Sequence, residues 1–450
     1  MSLNRREFLG LLGATALAGA FPLRSAFAGA QPHVVIIGGG VGGATAAKYL
    51  RLLDANLKVT VIEKNPVYIR PYGSSEVVTG HIKMDDLNVT YDALKSKYGV
   101  NVIIDEVVGF DPDKRNVSLK GGRKVSYDKL VVSPGIELLY DKLAGYSQAL
   151  AESKIPSGWI PGTQTQLLAD QLKALPKGGT FLMVAPPNPY RCPPGPYERP
   201  ALVAEWLQKH NPTAKVIIVD PKDKFVTDQT MMLGWNRLYG FPMPKEFLEG
   251  IPDSVEIQQH SQPGILEWIP AKDGGTPVSV DAETMTVTTE GGKIKADVIN
   301  IVPAMRAGKI ASAMGLTDDK GWCPNQRKTF ESTLHPHVHV IGDACHADAM
   351  PKSGFSANTQ AKSLARALVE ILAGREAPTP SWENTCYALA GSDYGLYVAD
   401  VFELAEAENK IKRVGKFNRY LRLDATPAQI RMGAVYQQAW MKSFTEDCFA

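Results

Sequence analysis

Short unbroken apolar runs, not alternating ones, punctuate this chain. His33-Val34-Val35-Ile36-Ile37 is the first and Lys58-Val59-Thr60-Val61-Ile62 the second. Tyr127–Val132, Thr180–Val184, Lys215–Val219 and His337–Ile341 follow the same form. A strand that is apolar on both faces is buried on both faces, as in a parallel sheet covered by helices. Helical patterns fall between the runs, at Ala44–Leu53, Ala201–Lys209 and Ala357–Ala373. Strands and helices taken in turn predict an α/β architecture.

The first run feeds directly into Gly38-Gly39-Gly40-Val41-Gly42-Gly43, and the second strand ends at Glu63, twenty residues beyond Gly43. Strand, GxGxxG, helix, strand and terminal carboxylate form one dinucleotide-binding unit. Gly38 permits the tight turn, Gly40 lets the backbone approach a pyrophosphate, and Gly43 lets helix and strand pack closely. The helix N-terminus presents free N–H groups to phosphate, and Glu63, with Lys64 beside it, faces an adenosine ribose. A glycine-rich turn with no ligand is the alternative, and the complete context argues against it. Further along, Ser133-Pro134-Gly135 closes one strand and Gly342-Asp343 closes another, followed by Lys352-Ser353-Gly354 at the head of a long helix. A carboxylate at the C-terminal end of a parallel strand sits in the ligand crevice. Ser133, Gly135, Gly342, Asp343, Lys352 and Gly354 are therefore added to the candidate cofactor-binding residues.

A second βαβ skeleton is present, Thr180–Val184, Ala201–Lys209 and Lys215–Asp220, but its turn is not glycine-rich. Between Pro186 and Pro200, seven of fifteen residues are proline. Proline has no N–H to give a phosphate, so this turn is unsuited to NAD(P)H and suited to holding Cys192 stiffly. The expected fold is thus two Rossmann-like dinucleotide-binding domains, the first discontinuous, plus a small α+β C-terminal domain. The expected boundaries are 33–148 and 297–375 for the first, 149–296 for the second and 376–450 for the last.

Residues 1–30 read as a signal for export of the folded protein to the periplasm. Asn4-Arg5-Arg6-Glu7-Phe8-Leu9 is a twin-arginine motif, an apolar stretch runs from Leu11 to Leu23, and Ala26-Phe27-Ala28 or Ala28-Gly29-Ala30 suits cleavage. That stretch is shorter than a spanning helix, and no transmembrane anchor is expected. Of 450 residues 44% are apolar and 21% charged, with net charge +2, a balance that gives no reason to expect nucleic acid. Five cysteines, an odd number, leave at least one outside any internal pairing. None lies in a CxxC or CxxCH arrangement, so neither zinc nor c-type haem is expected on this chain.

Fingerprint, Ser-Pro-Gly and Gly-Asp in this order resemble the FAD-containing pyridine nucleotide-disulfide oxidoreductase superfamily. Longer stretches resemble the flavoprotein subunit of flavocytochrome c sulfide dehydrogenase. These are Ala185–Pro187 with Arg191–Arg199, Arg306–Ile310, Gly321–Pro324, Gly342–Cys345 with Met350–Gly354, and Asn384–Tyr387. The resemblance implies FAD, sulfide as substrate, a c-type cytochrome as electron acceptor, and a flavin-adjacent Cys192–Cys386 disulfide. On spacing alone the same pair reads as a stabilising disulfide; the proline loop and the resemblance turn it to redox chemistry. Hydrosulfide then opens the disulfide to a persulfide and a thiolate. Arg191 and Arg199 are expected to favour the thiolate of Cys192, and Glu198 is either a proton-transfer group or a partner of Arg199. Pro71 stands where the family's flavin-linking cysteine belongs, which predicts non-covalent FAD. Phe241–Pro263 reads as an insertion. The basic stretch Lys410–Arg422 reads as a solvated hairpin face or a dock for an acidic partner. Cys323 and Cys345 are expected to be buried and Cys448 exposed, while Tyr436 and Trp440 pack in the core or cover the flavin. Two alternatives stay open. One is sulfide:quinone oxidoreduction, for which Ile430, Ala434, Met441 and Phe444 supply an apolar helix face; the other is a non-catalytic FAD electron-transfer subunit.

Overall fold

The computed structural model describes residues 31–260, 262, 264–415 and 419–450. The twin-arginine segment and Lys416 lie outside these residues. The first apolar run forms β1 (His33–Ile37), followed directly by α1 (Val41–Leu53) and β2 (Lys58–Glu63). A short helix α2 (Ser74–Val78), then β3 (Asn101–Ile104) and β4 (Lys129–Val132), complete the first pass. The second unit contributes β5 (Thr180–Val184), α3 (Gly195–His210), β6 (Lys215–Val219), α4 (Asp228–Tyr239), β7 (Leu266–Ile269) and β8 (Val298–Ile301). The chain then returns through β9 (Val338–Val340) and α5 (Gly354–Leu372). It ends in β10 (Ser381–Gly391), β11 (Tyr394–Ala405), β12 (Lys410–Arg413) and α6 (Pro427–Phe449).

Two parallel sheets carry the two units. The first runs β9-β4-β1-β2-β3, with Ile37 opposite both Ile62 and Val132, and two short antiparallel strands extend it beyond β9. The second runs β7-β6-β5-β8. Val34, Val35 and Ile36 have no exposed surface, because α1 and the strand Lys124–Ser126 pack against β1, and an unbroken apolar run suits burial on both faces. Each unit also carries a three-stranded antiparallel meander, Val107–Ser126 in the first and Pro277–Lys295 in the second. The C-terminal part is an antiparallel sheet, β10-β11-β12, with α6 laid across it. Thr426 and Gln429 cap α6 reciprocally, and Pro427 opens it where a missing N–H costs nothing. Helix and strand meet at two glycines: a Cβ on Gly433 would lie 2.7 Å from the Gly395 carbonyl oxygen.

Three expectations shift. The boundary at 297 moves past Ile301, because β8 pairs with β5, Phe181 opposite Val298. The boundary at 148 moves back, since Leu143 and Tyr146 share a core with Val280 and Ile299. Helix α3 begins at Gly195, not Ala201, and takes in Pro196 and Pro200. A first helical turn has no intrahelical acceptors for its N–H groups, so Pro196 is no obstacle there. The expected insertion packs firmly, with Phe241, Phe247 and Val255 buried and Asn236 bonded to Phe241 and Gln258. Among the described residues no helix is long and apolar enough to cross a membrane.

Candidate active site

The first unit's turn is built for close backbone approach. Gly38 has φ +96°, and a Cβ on it would stand 2.4 Å from the Ser133 carbonyl oxygen; one on Gly43 would stand 1.8 Å from that of Gly38. Gly40 caps α1 with no side-chain acceptor, leaving the first-turn N–H groups for an anion. Glu63 receives the Gly39 N–H at 2.8 Å and the Asn65 N–H at 2.9 Å, which fixes its carboxylate at the turn. Lys64 is exposed beside it. Gly135 turns the chain at φ +65° and accepts the Gly308 N–H at 2.9 Å, while the Ser133 hydroxyl lies against Gly42. Gly342, at φ +79°, donates its N–H to Gln360 at 2.8 Å. The next residue supplies the test of fit: Asp343 Oδ1 is buried and has no hydrogen-bond partner among the described residues. Burial pushes this carboxyl upward against the pull of Arg191 and Lys352. An unsatisfied buried acceptor just past a strand end, next to Gly342, fits a ribityl hydroxyl of FAD. Lys352 Nζ donates to the carbonyls of Asp343 (2.6 Å) and Cys345 (3.2 Å) and lies 3.7 Å from the Trp322 ring centre. Ser353 caps α5, and Gly354 is its first residue.

The second unit's crevice is closed by its own side chains. Asp220 ends β6 as Glu63 ends β2, yet it is fully buried. Its carboxylate accepts from the Tyr197 hydroxyl at 2.7 Å, Trp268 Nε1 at 3.1 Å and Lys222 Nζ at 2.6 Å. Tyr197 stacks on Phe225 with ring centres 3.6 Å apart. The Lys222 backbone N–H also donates to Oδ1 at 3.1 Å, so each oxygen accepts twice and no lone pair is left for a ribose.

What the proline turn does instead is present Cys192. This residue adopts the left-handed conformation (φ +61°), with its N–H on the Lys352 carbonyl at 2.9 Å and its own carbonyl on the Gly195 N–H at 3.0 Å. Strand β10 brings Cys386 from the C-terminal part to the same stretch of chain: Cys192 is tied to Lys352, and Cys386 is tied through Asn384 to Ser353, the next residue. Both cysteines are free thiols in this structure, so the expected disulfide is not formed in it. Cys386 is held in a hydrogen-bond chain. Ser353 donates to Asn384 Oδ1 at 2.5 Å, and Asn384 Nδ2 donates to Cys386 Sγ at 3.5 Å. Burial raises the Cys386 thiol, and Asn384 and Ser353 oppose the rise.

The arginines behave differently from the expectation. The Cys192 thiol is pushed up, first by burial and then by the charges of Glu198 and Cys386, and Arg191 only partly opposes this. Cys192 is exposed, but protein crowds its thiol closely enough for burial to lead. Arg199 is committed elsewhere, to the carbonyls of Ser157 and Gly158 and to Asn300 Oδ1 at 2.9–3.0 Å. Glu198 therefore does not pair with it; Glu198 Oε1 accepts the Leu389 N–H at 2.9 Å. Burial, and next the charge of Glu76, pushes the Glu198 carboxyl up to about 8. Glu76 on α2 is itself buried and accepts from Gln437 at 2.7 Å.

Of the remaining residues, Cys323 and Cys345 are buried as expected, side by side on a parallel bridge. Cys448 is also buried, not exposed, because α6 docks it against Asn358. Trp440 stacks on Phe444 with centres 4.7 Å apart, but Tyr436 is 53% exposed and packs in no core. Ile430, Ala434, Met441 and Phe444 are buried within the protein. The basic stretch divides. Lys412 pairs with Glu408 and Arg422 with Asp424 at the surface, whereas Arg413 and Arg419 turn inward onto buried Asp400. Sequence spacing gave no sign of Glu76, Gln437 or Asp400, whose partners lie far along the chain.

A glycine cradle on one Rossmann unit, a closed second unit and two cysteines converging from separate parts define an FAD-containing oxidoreductase of the pyridine nucleotide-disulfide type. The pattern described as pyridine nucleotide-disulphide oxidoreductase matches residues 32–152. Two narrower patterns match the rest: the central part of the sulfide dehydrogenase [flavocytochrome c] flavoprotein chain over 165–303, and the flavocytochrome c sulphide dehydrogenase flavin-binding part over 378–449. The sulfide dehydrogenase [flavocytochrome c] flavoprotein chain of Chlorobaculum thiosulfatiphilum is 50% identical over 37 residues, 8% of this chain and 77% of that sequence. The chain belongs to the flavoprotein family of flavocytochrome c sulfide dehydrogenase. It is also similar to the sulfide-quinone reductase of Aquifex aeolicus, at 24% identity over 87% of this chain and 88% of that one. The solved sulfide:quinone oxidoreductase of that organism shares the fold, with a TM-score of 0.64 at 19% identity over 92% of each chain.

Proposed function

We propose that this chain is a periplasmic, FAD-dependent sulfide dehydrogenase that oxidises sulfide to sulfur or polysulfide and passes the electrons to a c-type cytochrome. The observation that carries the reading is the meeting of Cys192 and Cys386 beside Asp343, Lys352 and Ser353. Cys386 and these three line one cavity, of which Pro193, next to Cys192, forms another part of the wall. Oxidised, the pair offers hydrosulfide an electrophilic sulfur. A new S–S bond to the incoming sulfur forms as the Cys–Cys bond breaks, leaving a persulfide on one cysteine and a thiolate on the other. A second hydrosulfide removes the outer sulfur as hydrodisulfide, and the two cysteines then hold the two electrons taken from sulfide. Gly38, Gly40, Gly43, Glu63, Ser133 and Asp343 would hold FAD, which would supply an acceptor for two electrons that can be passed on singly. Glu198, whose carboxyl is raised into the neutral range, holds a proton for the thiolate as it forms. Asn384 stabilises charge on Cys386. Pro71 has no nucleophile for the cofactor, so FAD is held without a covalent bond.

The periplasmic address rests on the twin-arginine motif. The cytochrome assignment rests on the two flavocytochrome c patterns, which together span the cysteine loop and β10. The sulfide:quinone reading has in its favour several sulfide:quinone relatives, of which that of Aquifex aligns along 87% of the chain. Against it, the apolar face of α6 that would have served a quinone slot is used up in packing. Sulfide-reduced protein mixed with oxidised cytochrome c or with a short-chain quinone decides between them. Reoxidation at least about tenfold faster by cytochrome c is expected; the reverse order overturns the cytochrome assignment.

A further inference from the structure

The cavity that reaches Cys386 continues past it to a cationic wall. Asn384 and Cys386 on β10 lie opposite Asp400 and Val398 on β11, and all four line the cavity of about 820 Å³. Residues two apart on a strand share a face about 7 Å apart, so the wall begins one side chain beyond the thiol. Asp400 is 2% exposed and receives two guanidiniums. Arg413 donates Nε to Oδ1 at 2.7 Å; Arg419 donates Nη2 to Oδ2 at 2.8 Å and Nε to Oδ1. Both arginines are set by backbone pairing to β11: Arg413 sits opposite Phe402, and the Arg419 carbonyl accepts the Ala399 N–H at 2.8 Å.

Charge is left over here. One carboxylate faces two guanidiniums, and among the described residues Arg413 spends only Nε on Asp400, so its Nη groups are available to another acceptor. Elsewhere in the cavity Asp348 is matched by Arg327. Lys352 is bonded only to neutral carbonyls, and Lys224 and Lys320 add positive charge at the wall. The opposing carboxyl is Asp343, already placed in the cofactor site. The same cavity is also lined by the apolar, polarisable side chains of Val398, Met350, Met305 and Trp322. A low-dielectric cleft with excess positive charge concentrates anions, and apolar walls with a cationic end suit a chain that is polarisable along its length and charged at its tip.

We propose that Arg413 and Arg419, clamped together by Asp400, form a binding site for linear sulfur anions, namely hydrosulfide and the hydropolysulfide that grows from it. The proposal rests on the sulfide reading of this cavity and names the residues that recognise the anion. It also accounts for why these two arginines turn inward while their neighbours Lys412 and Arg422 pair at the surface.

The test uses the flavin-loaded full chain, its R413Q/R419Q variant and the charge-preserving R413K/R419K variant. Thiocyanate, a linear, polarisable anion that does not reduce flavin, is the probe. It should perturb the flavin absorbance of the wild type and compete with sulfide. In R413Q/R419Q the thiocyanate affinity and the affinity for sulfide should each fall at least about tenfold, with the limiting reduction rate changed less than threefold, and R413K/R419K should recover most of the loss. Raising ionic strength should weaken sulfide binding in the wild type and weaken it less in the glutamine variant. A glutamine variant that loads flavin normally and keeps wild-type thiocyanate and sulfide affinities overturns the proposal, leaving the arginines as struts of the sheet. If thiocyanate binds through the arginines but sulfide fails to reduce the wild type, the anion site stands and the sulfide reading falls.

Discussion

The two βαβ units share a plan and differ in what fills the turn. Each has a parallel strand, a helix, a second strand ending in a carboxylate, and an antiparallel meander. In the first, glycines leave room: the backbone comes within 1.8 Å of where a Gly43 Cβ would be, and Glu63 binds only backbone N–H groups of its own turn. In the second, prolines remove the N–H donors, and Tyr197, Trp268 and Lys222 consume every lone pair of Asp220 that a ribose would need. A Rossmann fold therefore does not imply a nucleotide; the turn chemistry and the fate of the acidic residue decide. The freed second turn became the mount for Cys192.

The largest effect should come from filling the first turn. Gly43→Val forces a side chain into the Gly38 carbonyl and should leave purified protein with less than about a tenth of the normal flavin-to-protein ratio. In the second unit, Gly195→Ala meets only the Trp159 ring and Cys192 Sγ, side chains that can shift, and flavin content should stay near normal. Loss of flavin from both variants would break the asymmetry. Next, Asp220→Ala strands Lys222 in the interior, where loss of one member of a buried pair costs about 3–5 kcal/mol. Thermal unfolding should show a large drop, with no gain of flavin reduction by NADH. Glu63→Gln leaves one of the two backbone N–H groups without its acceptor and should weaken flavin retention on dilution by about tenfold, with a small drop in unfolding temperature.

The smallest expected difference is in pH response. His339 on β9 is held neutral by burial, its pKa lowered to about 4. Between 6.5 and 4 the unfolded chain binds the extra proton, so this group lowers stability as pH falls. Glu198 on α3 is held protonated, its carboxyl raised to about 8. Between about 4.5 and 8 the folded chain holds the extra proton, so this group lowers stability as pH rises. Glu198→Gln should flatten the alkaline side of a stability-against-pH curve, and should remove a break near pH 8 from the rate of flavin reduction by sulfide. An unchanged profile would exclude Glu198 as the proton carrier.

The backbone form of features written in contiguous residues was legible in the sequence. The strand, glycine turn, helix and strand from His33 to Glu63, the Ser133-Pro134-Gly135 turn, and the strand that ends before Gly342-Asp343 each depend on local backbone demands. The start of α3 was not legible, since prolines that break a helix interior are tolerated in its first turn, and Pro196 concealed it. Nor were the pairs that only folding assembles: Glu76 with Gln437, Ser353 with Asn384, and Asp400 with Arg413 and Arg419. Each joins elements that approach only when β10, β11 and α6 close on the two Rossmann units, and no spacing rule encodes that approach. Cys448 read as exposed from its position near the end of the chain; the packing of α6 buries it.

The central claim is that Cys192 and Cys386 form a sulfide-reactive redox pair beside the flavin. Anaerobic titration of the oxidised, flavin-loaded protein with sulfide, followed at the flavin absorbance in wild type, Cys192→Ser and Cys386→Ser, tests it most directly. The account predicts rapid bleaching in the wild type and at least about a thousandfold slower bleaching in both variants, with flavin content unchanged in all three. Equal bleaching in the serine variants, or none in the wild type while NADH reduces it, would contradict it.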